Sequence, residues 1–310
     1  MRSLPVFPGQ IELQFDHCPL IVDLLARKNV HSSDFAMYNL LGWYLDRPPM
    51  ISRVDDHLIL DVEGPDGSHV LLPPLGIGSP KAALEAMLRY GPILGFTGGI
   101  SYVPEEIFQE ILPVFPPLRT EELRGDFDYL YNRQELSELS GRKFHQKKNF
   151  VNRLLQAEKP VVSLLTPALM ERARAYLNTW YAGAAKDDLS VKLESLAAER
   201  MLPNLQKIGG MGILVELQGE IVGLSVASPI HSKCWVVTVE KANREIKGMY
   251  QFVNWALANR LPEEVKVINR ETDLDIVGLR VAKLSYHPIG FEKKYRLYFS
   301  TSVKSVENPV

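Results

Sequence analysis

The order in which strand-like and helix-like stretches follow one another constrains this fold more than any other feature of the sequence. In the second half, three β-rich runs precede a helix, a strand, a helix and a closing strand. Gln218-Gly219-Glu220 joins the first two runs as a hairpin. Such alternation predicts α/β or α+β architecture, with a mixed central sheet flanked by helices. The predicted elements are residues 213–217, 221–227, 234–240, 248–261, 265–269, 278–286 and 295–299.

The first half follows the same order. Two strands, with the turn Gly64-Pro65-Asp66-Gly67 between them, precede alternating helices and strands. These elements are residues 57–62, 69–72, 81–90, 93–97, 105–112 and 127–131. A repeated order predicts two copies of one fold, and 310 residues suit two domains of about 150 residues each. We therefore expect domains at 1–132 and 133–310.

The composition of the chain limits the cellular compartment in which we expect the protein and the kinds of partner that it could bind. The chain has two cysteines and a net charge of -2, so neither a disulfide framework nor a general polyanion binder is expected. We find no apolar run near the roughly 18 residues that a membrane span needs, and no signal peptide at the N-terminus. The histidines show no metal-ligand spacing, so no metal is predicted. A cytoplasmic protein without integral membrane association is the expectation.

The segment from residue 235 to 250 is typical of an anion site. A strand ends at Glu240, a basic loop carries Arg244 and Lys247, and Gly248 precedes a helix. A helix N-terminus offers unpaired N–H groups and partial positive charge, which suit a phosphate. Basic residues at that end are disfavoured by the helix dipole, so an anionic ligand would explain them. The alternative is a solvated turn with a chance glycine.

A second basic stretch, residues 141–153, holds five Lys or Arg residues and no acid. On a helix, Arg142, Gln146, Asn149 and Arg153 share one side. This side could contact the phosphates of a cofactor or of an RNA acceptor end. The alternative is a solvated helix face.

Carboxylates follow the next predicted strand. Glu271 and Asp273 lie just beyond residue 269, where α/β folds tend to place ligands, and Glu240 lies just before the basic loop. Such groups position an amine or accept its proton. The alternative is a polar turn in which Asp273 or Asp275 caps the following helix.

These segments together resemble the soluble bacterial proteins related to the C-terminal catalytic domain of phosphatidylglycerol lysyltransferases. The resemblance implies two tandem GNAT-like acyl-CoA N-acyltransferase domains, similar to the peptidoglycan-building aminoacyl-tRNA transferases. It implies acyl-CoA or aminoacyl-tRNA as the donor. The lipid-modifying enzymes carry a membrane-spanning half that this chain lacks, which argues against a lipid acceptor. The matching strings are Tyr129-Leu130-Tyr131, Glu240-Lys241-Ala242, and residues 141–149, 246–250, 268–274 and 278–286.

The predicted function is transfer of an acyl or aminoacyl group to an amine or hydroxyl of a small-molecule or peptide acceptor, with tRNA as a partner if it carries the donor. The alternative is a non-catalytic ligand- or RNA-binding protein that keeps the fold, which turnover would distinguish. The predicted catalytic residues are Glu240, Glu271, Asp273 and Tyr286. The predicted donor-binding residues are Val237, Val239, Lys241, Arg244, Ile246, Lys247, Gly248, Met249, Tyr250, Arg142, Lys143 and Lys147.

Overall fold

The structure is a computed structural model that describes residues 1, 3–44, 47–63, 69–94, 99–184 and 189–299. Within these ranges no helix is both long and apolar enough to cross a bilayer. The strands are β1 (Ile11–Glu12), β2 (Met50–Val54), β3 (His57–Glu63), β4 (His69–Leu71), β5 (Leu75–Gly76), β6 (Gly99–Pro104), β7 (Arg119–Glu122), β8 (Asp128–Asn132), β9 (Val161–Leu164), β10 (Met211–Leu217), β11 (Glu220–His231), β12 (Cys234–Ala242), β13 (Val267–Asn269), β14 (Gly290–Glu292) and β15 (Lys294–Tyr298). The helices are α1 (Cys18–Lys28), α2 (Met37–Gly42), α3 (Lys81–Tyr90), α4 (Glu105–Ile111), α5 (Arg133–Glu138), α6 (His145–Ala157), α7 (Met170–Ala182), α8 (Leu189–Met201), α9 (Met249–Ala258) and α10 (Val277–Leu284). The predicted mixed α/β architecture is confirmed.

The chain divides into two compact units, each assembled from separate stretches of sequence. The first unit contains Met1–Val30, Tyr44–Phe127 and the chain from Glu292 onward. The second contains His31–Trp43 and Asp128–Phe291. The predicted domains at 1–132 and 133–310 stay a prediction, and these units differ from them by the exchange of three segments.

The first unit has two antiparallel sheets. One runs β1-β2-β3-β4, with β5 also paired to β3, and the other runs β6-β15-β7. The strands predicted at 57–62 and 69–72 are β3 and β4, while the turn predicted between them lies outside the described residues. The strand predicted at 93–97 is wrong at its start, because the chain continues past α3 in a 3-10 helix, Gly91–Leu94. Residues 95–97 of that prediction also lie outside the described residues.

The second unit is built on a seven-stranded sheet with the order β14-β8-β13-β12-β11-β10-β9. β12 and β13 run parallel, whereas the pairings of β9 to β12 with one another, and of β13 with β8, are antiparallel. Two groups of helices contact β11, namely α9 with its neighbours α5 and α6, and α2 and α7 with their neighbour α8. A mixed sheet with a parallel pair, β12 and β13, near its centre matches the predicted architecture.

Helix α9 packs on the sheet through the apolar face that its sequence predicts. Phe252, Val253 and Ala256 are fully buried. Gly223 on β11 permits the close approach, since a Cβ at that position would lie 2.4 Å from a methyl carbon of Val253. This packing fixes the start of α9 beside the end of β12, where the anion site is predicted.

The closing strand predicted at 295–299 exists as β15, but its place differs from the expectation. It pairs with β6 and β7, which precede residue 132, and not with the strands of the second half. Conversely, β8 lies before residue 133 and pairs with β13 of the second half. Hydrophobic alternation identifies a strand but carries no information about a distant partner, which is why the sequence did not predict this exchange.

Candidate functional site

A gap opens in the seven-stranded sheet where β12 and β13 separate. The two strands pair only through Cys234–Val267, Trp235–Ile268 and Val236–Asn269. β12 then continues to Ala242, whereas β13 ends at Asn269. The register between β11 and β12 shifts at this point, so that Thr238 is an extra residue between Val237 and Val239. Such a bulge bends and twists its strand, which helps β12 diverge from β13.

Glu240 and Arg270 form an ion pair where the strands diverge. Arg270 Nη2 donates to Glu240 Oε1 at 2.7 Å, and both side chains are 13% exposed. Asn254 Nδ2 of α9 donates to Glu240 Oε2 at 3.1 Å. The guanidinium carbon of Arg270 also lies 4.7 Å from the centre of the Tyr286 ring. A carboxylate held by two donors is well placed to orient its neighbours.

Arg270 has a hydrogen-bond donor that the ion pair with Glu240 does not use. Its Nη1 atom is buried and has no hydrogen-bond partner among the described residues. The hydroxyl oxygen of Thr238 and the amide oxygen of Asn254 are in the same condition. Buried polar groups without partners are costly. Arg270 and Asn254 both contact Glu240 through their other atoms, so two such groups beside one carboxylate are consistent with a site for a ligand or water.

Glu271 occupies a different environment from Glu240. Asn39 Nδ2 of α2 donates to its Oε1 atom at 2.9 Å, and the backbone is in the left-handed region at φ 55°. Burial raises the pKa of the Glu271 carboxyl, and the Asn39 hydrogen bond opposes that shift. Burial also lowers the pKa of the Lys283 ammonium nearby. Glu271 therefore has the stronger affinity for a proton that a general base requires.

Asp273 is held by a full set of donors. It is completely buried, accepts from Tyr129 Oη at 2.6 Å, and forms a two-point ion pair with Arg280 at 2.7 and 2.8 Å. The backbone N–H of Asp275 donates to it at 2.9 Å. These bonds fix the loop that leads into α10. The prediction that Asp273 or Asp275 caps this helix is wrong, because Ile276 is the N-cap residue and no side chain caps it.

Tyr286 lies between two cations beside the gap. The Lys147 ammonium is 4.2 Å from its ring centre, and Arg270 lies nearby as described. Burial raises the pKa of the Tyr286 hydroxyl, with Arg270 opposing the shift, so the hydroxyl keeps its proton at neutral pH. Lys147 itself is only 9% exposed, donates to Ser285 Oγ at 3.0 Å, and has a pKa lowered mainly by burial. Its ammonium is therefore directed into the protein, away from the surface position expected for a phosphate ligand.

The predicted basic loop connects β12 to α9. Arg244 and Lys247 are exposed, and α9 has no side-chain cap because Gly248 occupies the N-cap position. Gly248 has φ 92°, and a Cβ there would lie 2.8 Å from the Cβ of Phe150. The glycine is thus required by the backbone and by the packing of α6, whatever ligand approaches the loop.

An aromatic side chain that the sequence did not single out stands beside this loop. The ring centre of Trp180 on α7 is 4.5 Å from the Lys241 ammonium and 4.8 Å from the Arg244 guanidinium carbon. Its indole N–H donates to the Ala242 carbonyl at 3.0 Å, and Lys241 pairs with Glu194 at 2.7 Å. Trp180 therefore orders the end of β12 and the start of the loop through cation–π contacts and one hydrogen bond.

The remaining predicted donor residues are distributed unevenly. Val237, Val239 and Met249 are buried, while Ile246 and Tyr250 are half-buried beside the loop. Burial also raises the pKa of the Tyr250 hydroxyl. Arg142 and Lys143 lie in a 3-10 helix, Arg142–Phe144, that precedes α6, and Lys143 pairs with Glu135 at 2.7 Å.

The exposed side of α6 carries a shallow depression of about 570 Å³ lined by Asn149, Asn152, Arg153, Gln156 and Ala157. Amide side chains predominate over cations there, which makes it a poorer phosphate site than the sequence run suggested.

The signals for the missed residues are weak in sequence. Asn39 and Trp180 come from helices far along the chain from β12 and β13, and neither belongs to a basic or acidic cluster. Arg270 stands inside a segment that was recognised, between Asn269 and Glu271. Arg270 pairs with Glu240 because β12 and β13 separate at this point, and a local sequence pattern does not predict that separation.

The fold of the chain matches that of known acyltransferases. A tandem GNAT protein from the clavulanic acid biosynthesis pathway superposes with a TM-score of 0.53 at 10% identity, over 94% of this chain and 98% of that one. The L-PGS of Bacillus licheniformis superposes with a TM-score of 0.64 at 15% identity, over 95% and 94% of the two chains. The chain thus has the tandem GNAT fold predicted from sequence.

The family follows from the sequence itself. Residues 27–298 match the family described as phosphatidylglycerol lysyltransferase, C-terminal, and the chain belongs to that family. A conserved protein of unknown function from Bacteroides thetaiotaomicron VPI-5482 is similar over nearly its whole length, with a TM-score of 0.89 and 26% identity over 94% of this chain and 99% of that one. No curated protein matches the chain.

Proposed function

We propose that this chain transfers an acyl or aminoacyl group from an activated donor to an amine or hydroxyl acceptor. The observation that carries the proposal is the gap between β12 and β13, which contains a largely buried ion pair and leads to an exposed basic loop. Membership of the family, whose description names a lysyltransferase, supports the same class of reaction. The fold shared with a tandem GNAT protein is consistent with it.

The donor is proposed to lie along the free edge of β12. Among the described residues, no strand pairs with β12 on the β13 side beyond Val236, so its backbone groups from Val237 onward are available to an extended arm. The exposed Arg244 and Lys247, together with the uncapped start of α9, would hold donor phosphates. Trp180 keeps the loop in place for that contact.

A coenzyme A thioester fits this arrangement better than a tRNA. The exposed cations at the loop are few, and two cations of the second basic stretch are occupied, Lys147 by Ser285 and Lys143 by Glu135. A compact phosphate group needs few contacts, whereas tight RNA binding draws on many. We therefore place acyl-CoA ahead of aminoacyl-tRNA as the donor.

Glu271 is proposed as the general base. An amine acceptor whose ammonium form has a pKa of about 10 is mostly protonated at neutral pH. Because only the neutral amine attacks a carbonyl, a proton must first be removed. The raised pKa of Glu271 suits that task, whereas Glu240 is committed to Arg270 and Asn254. We assign Glu240 and Arg270 to positioning, and Asp273 to holding the loop before α10.

The reaction balances without a covalent enzyme intermediate. The acceptor nitrogen or oxygen bonds to the donor carbonyl carbon, and its proton passes to Glu271 directly or through water. The bond from that carbon to the donor sulfur or oxygen breaks, and the leaving atom takes a proton from the Tyr286 hydroxyl. Solvent then exchanges the proton from Glu271 for the one that Tyr286 lost. Arg270, with one free N–H-bearing nitrogen, is available to stabilise the developing oxyanion.

The test is a turnover assay on the full chain. Acetyl-CoA and lysyl-tRNA serve as labelled donors, each with a panel of amines, amino alcohols and short peptides, and Glu264→Gln is the matched control because Glu264 is exposed. We expect transfer with the full chain and with the control, and loss of at least about 100-fold in Glu271→Gln. Saturable donor binding without transfer on any acceptor would instead favour the non-catalytic alternative.

A further inference from the structure

Two histidines and a cysteine meet at the closed end of the β11–β12 hairpin. β11 ends at His231, β12 begins at Cys234, and the register pairs these two residues directly across the strands. Directly paired residues on a hairpin project their side chains on the same face, about 5 Å apart at Cβ. The separation by Ser232 and Lys233 is also a spacing that metal-ligand pairs use.

His31 completes the cluster from a distant part of the sequence. Its ring centre lies 5.2 Å from that of His231, and the ligand atoms of His31, His231 and Cys234 all lie within 4.8 Å of one another. The position of His31 is fixed through its carbonyl oxygen, which accepts from Asn269 Nδ2 at 2.7 Å. Asn269 is in turn bonded to the buried Asp128 at 2.9 Å.

The cluster is enclosed, and one of its nitrogen atoms lacks a partner. Cys234 is fully buried and His231 is 2% exposed, while His31 is half-buried. The Nε2 atom of His231 is buried and makes no hydrogen bond with any described residue. Leaving an imidazole nitrogen buried and unpaired is unfavourable, so this nitrogen calls for a ligand.

We propose that His31, His231 and Cys234 bind a divalent transition-metal ion, with Zn²⁺ as the reference occupant. Two imidazoles and a thiolate are the donor set of borderline-soft metals, whereas Mg²⁺ and Ca²⁺ prefer oxygen. Three protein ligands leave one tetrahedral position for water or another ligand. Histidine spacing and cysteine spacing, each taken by itself, predict no metal, whereas His231-Ser232-Lys233-Cys234 is a candidate ligand pair when the two residue types are considered together.

Binding requires two proton adjustments that the geometry permits. The Cys234 thiol loses its proton to solvent as the sulfur–metal bond forms. The backbone N–H of Lys233 donates to His231 Nδ1 over a long 3.3 Å, so the ring proton is on Nε2 in the absence of metal. When a metal binds Nε2, the ring proton moves to Nδ1 and this weak hydrogen bond is lost. The new bond between the metal and Nε2 compensates for the loss of this hydrogen bond.

The ion would act on the structure, at the opposite end of β12 from Glu240. It would tie the His31–Trp43 segment to the hairpin of the same unit. That segment carries Asn39, the hydrogen-bond partner of Glu271. The inference does not rest on the proposed transferase function, and its test uses no activity measurement.

The experiment is a titration of the chelator-treated full chain with Co²⁺, whose bond to a thiolate gives a near-ultraviolet charge-transfer band. Cys234→Ser is the test variant, and Cys18→Ser is the matched control because Cys18 is the other buried cysteine. We expect one equivalent and the thiolate band with the full chain and with the control. We expect the band to vanish in Cys234→Ser, and Zn²⁺ to raise the thermal midpoint of the full chain.

A second variant keeps the result decisive if Cys234→Ser fails to fold. His31→Gln changes a half-buried residue, and we expect it to fold and to bind Co²⁺ at least tenfold more weakly. The absence of a thiolate band in the full chain at excess Co²⁺ would overturn the proposal. So would an unchanged band in Cys234→Ser or an unchanged affinity in His31→Gln.

Discussion

At the scale of single residues, the two glutamates beside the strand gap differ in what surrounds them. Glu240 receives hydrogen bonds from Arg270 and Asn254, whereas Glu271 receives one from Asn39 and has a pKa raised by burial. From sequence alone, both glutamates are candidate catalytic carboxylates near the ends of neighbouring strands. The separation of β12 from β13, together with the Asn39 contact, gives the two carboxylates different surroundings.

Replacement of Glu271 tests this distinction. A raised pKa means that the carboxylate forms only as the pH rises above the usual glutamate range near ~4.3, so the transfer rate should climb with pH through a limb displaced toward neutrality. Glu271→Gln should lower the maximal rate by at least about 100-fold and remove that limb. Rates measured from pH 5 to 9, with Glu264→Gln as the control, decide the point. A retained limb in Glu271→Gln would assign the base elsewhere.

Removal of Arg270 tests the ion pair. Arg270→Ala would leave the Glu240 carboxylate largely buried without its main partner, which should cost about 3–5 kcal/mol in the free energy of unfolding. The double variant with Glu240→Gln should recover part of that loss, because the unpaired charge is gone. Urea unfolding of the single and double variants measures both effects. A loss below about 1 kcal/mol in Arg270→Ala would show that the pair contributes little.

At the scale of elements, the start of α9 depends on a glycine for two separate reasons. Gly248 has φ 92° and also lies against Phe150, whereas Gly219 has φ 87° with no atom within 4 Å of an added Cβ. The two positions share backbone strain but not the steric contact.

Alanine substitutions separate the two effects. Gly219→Ala should lose roughly 1–2 kcal/mol of unfolding free energy from the left-handed backbone alone. Gly248→Ala should lose more, because Phe150 must also move. Thermal or urea unfolding of both variants gives the comparison. Equal losses of unfolding free energy in the two variants would mean that Phe150 on α6 moves aside without destabilising the protein.

From β10 onward most elements were predictable from sequence, whereas β9, α7 and α8 were not predicted. Apolar alternation located β10, β11 and β12, and the apolar face of α9 is the one that is buried. The partner of β15 was not predictable, since a strand pattern does not record which distant strand completes its hydrogen bonds. The same limit applies to the site, where Asn39 and Trp180 reach β12 and β13 through folding and not through local spacing.

At the scale of the whole molecule, the two compact units exchange strands relative to a division at residue 132. β8 belongs to the sheet that contains β13, and β15 lies between β6 and β7. A cut between residues 132 and 133 would therefore remove a strand from a sheet in each unit.

Expression of residues 1–132 and 133–310 as separate chains tests this arrangement. Neither fragment should show a cooperative thermal unfolding transition alone, because each lacks a strand that its sheet requires. Co-expression should restore a transition, since both missing strands are then supplied. Circular dichroism and calorimetry follow the transition in each case. Independent cooperative unfolding of either fragment would show that the exchanged strand is dispensable to it.

The central position of β15 also imposes an order in time on biosynthesis. β6 ends at Pro104, but its neighbour is made of residues 294–298. At ~5–20 residues per second, the ribosome needs on the order of ten to forty seconds to reach that strand. During this interval β6 and β7 have no β15 between them, and unpaired strand edges promote aggregation. A stalled or truncated chain that stops before residue 294 would remain in that state, so the sheet that contains β6 and β7 depends on a strand that is synthesised long after them.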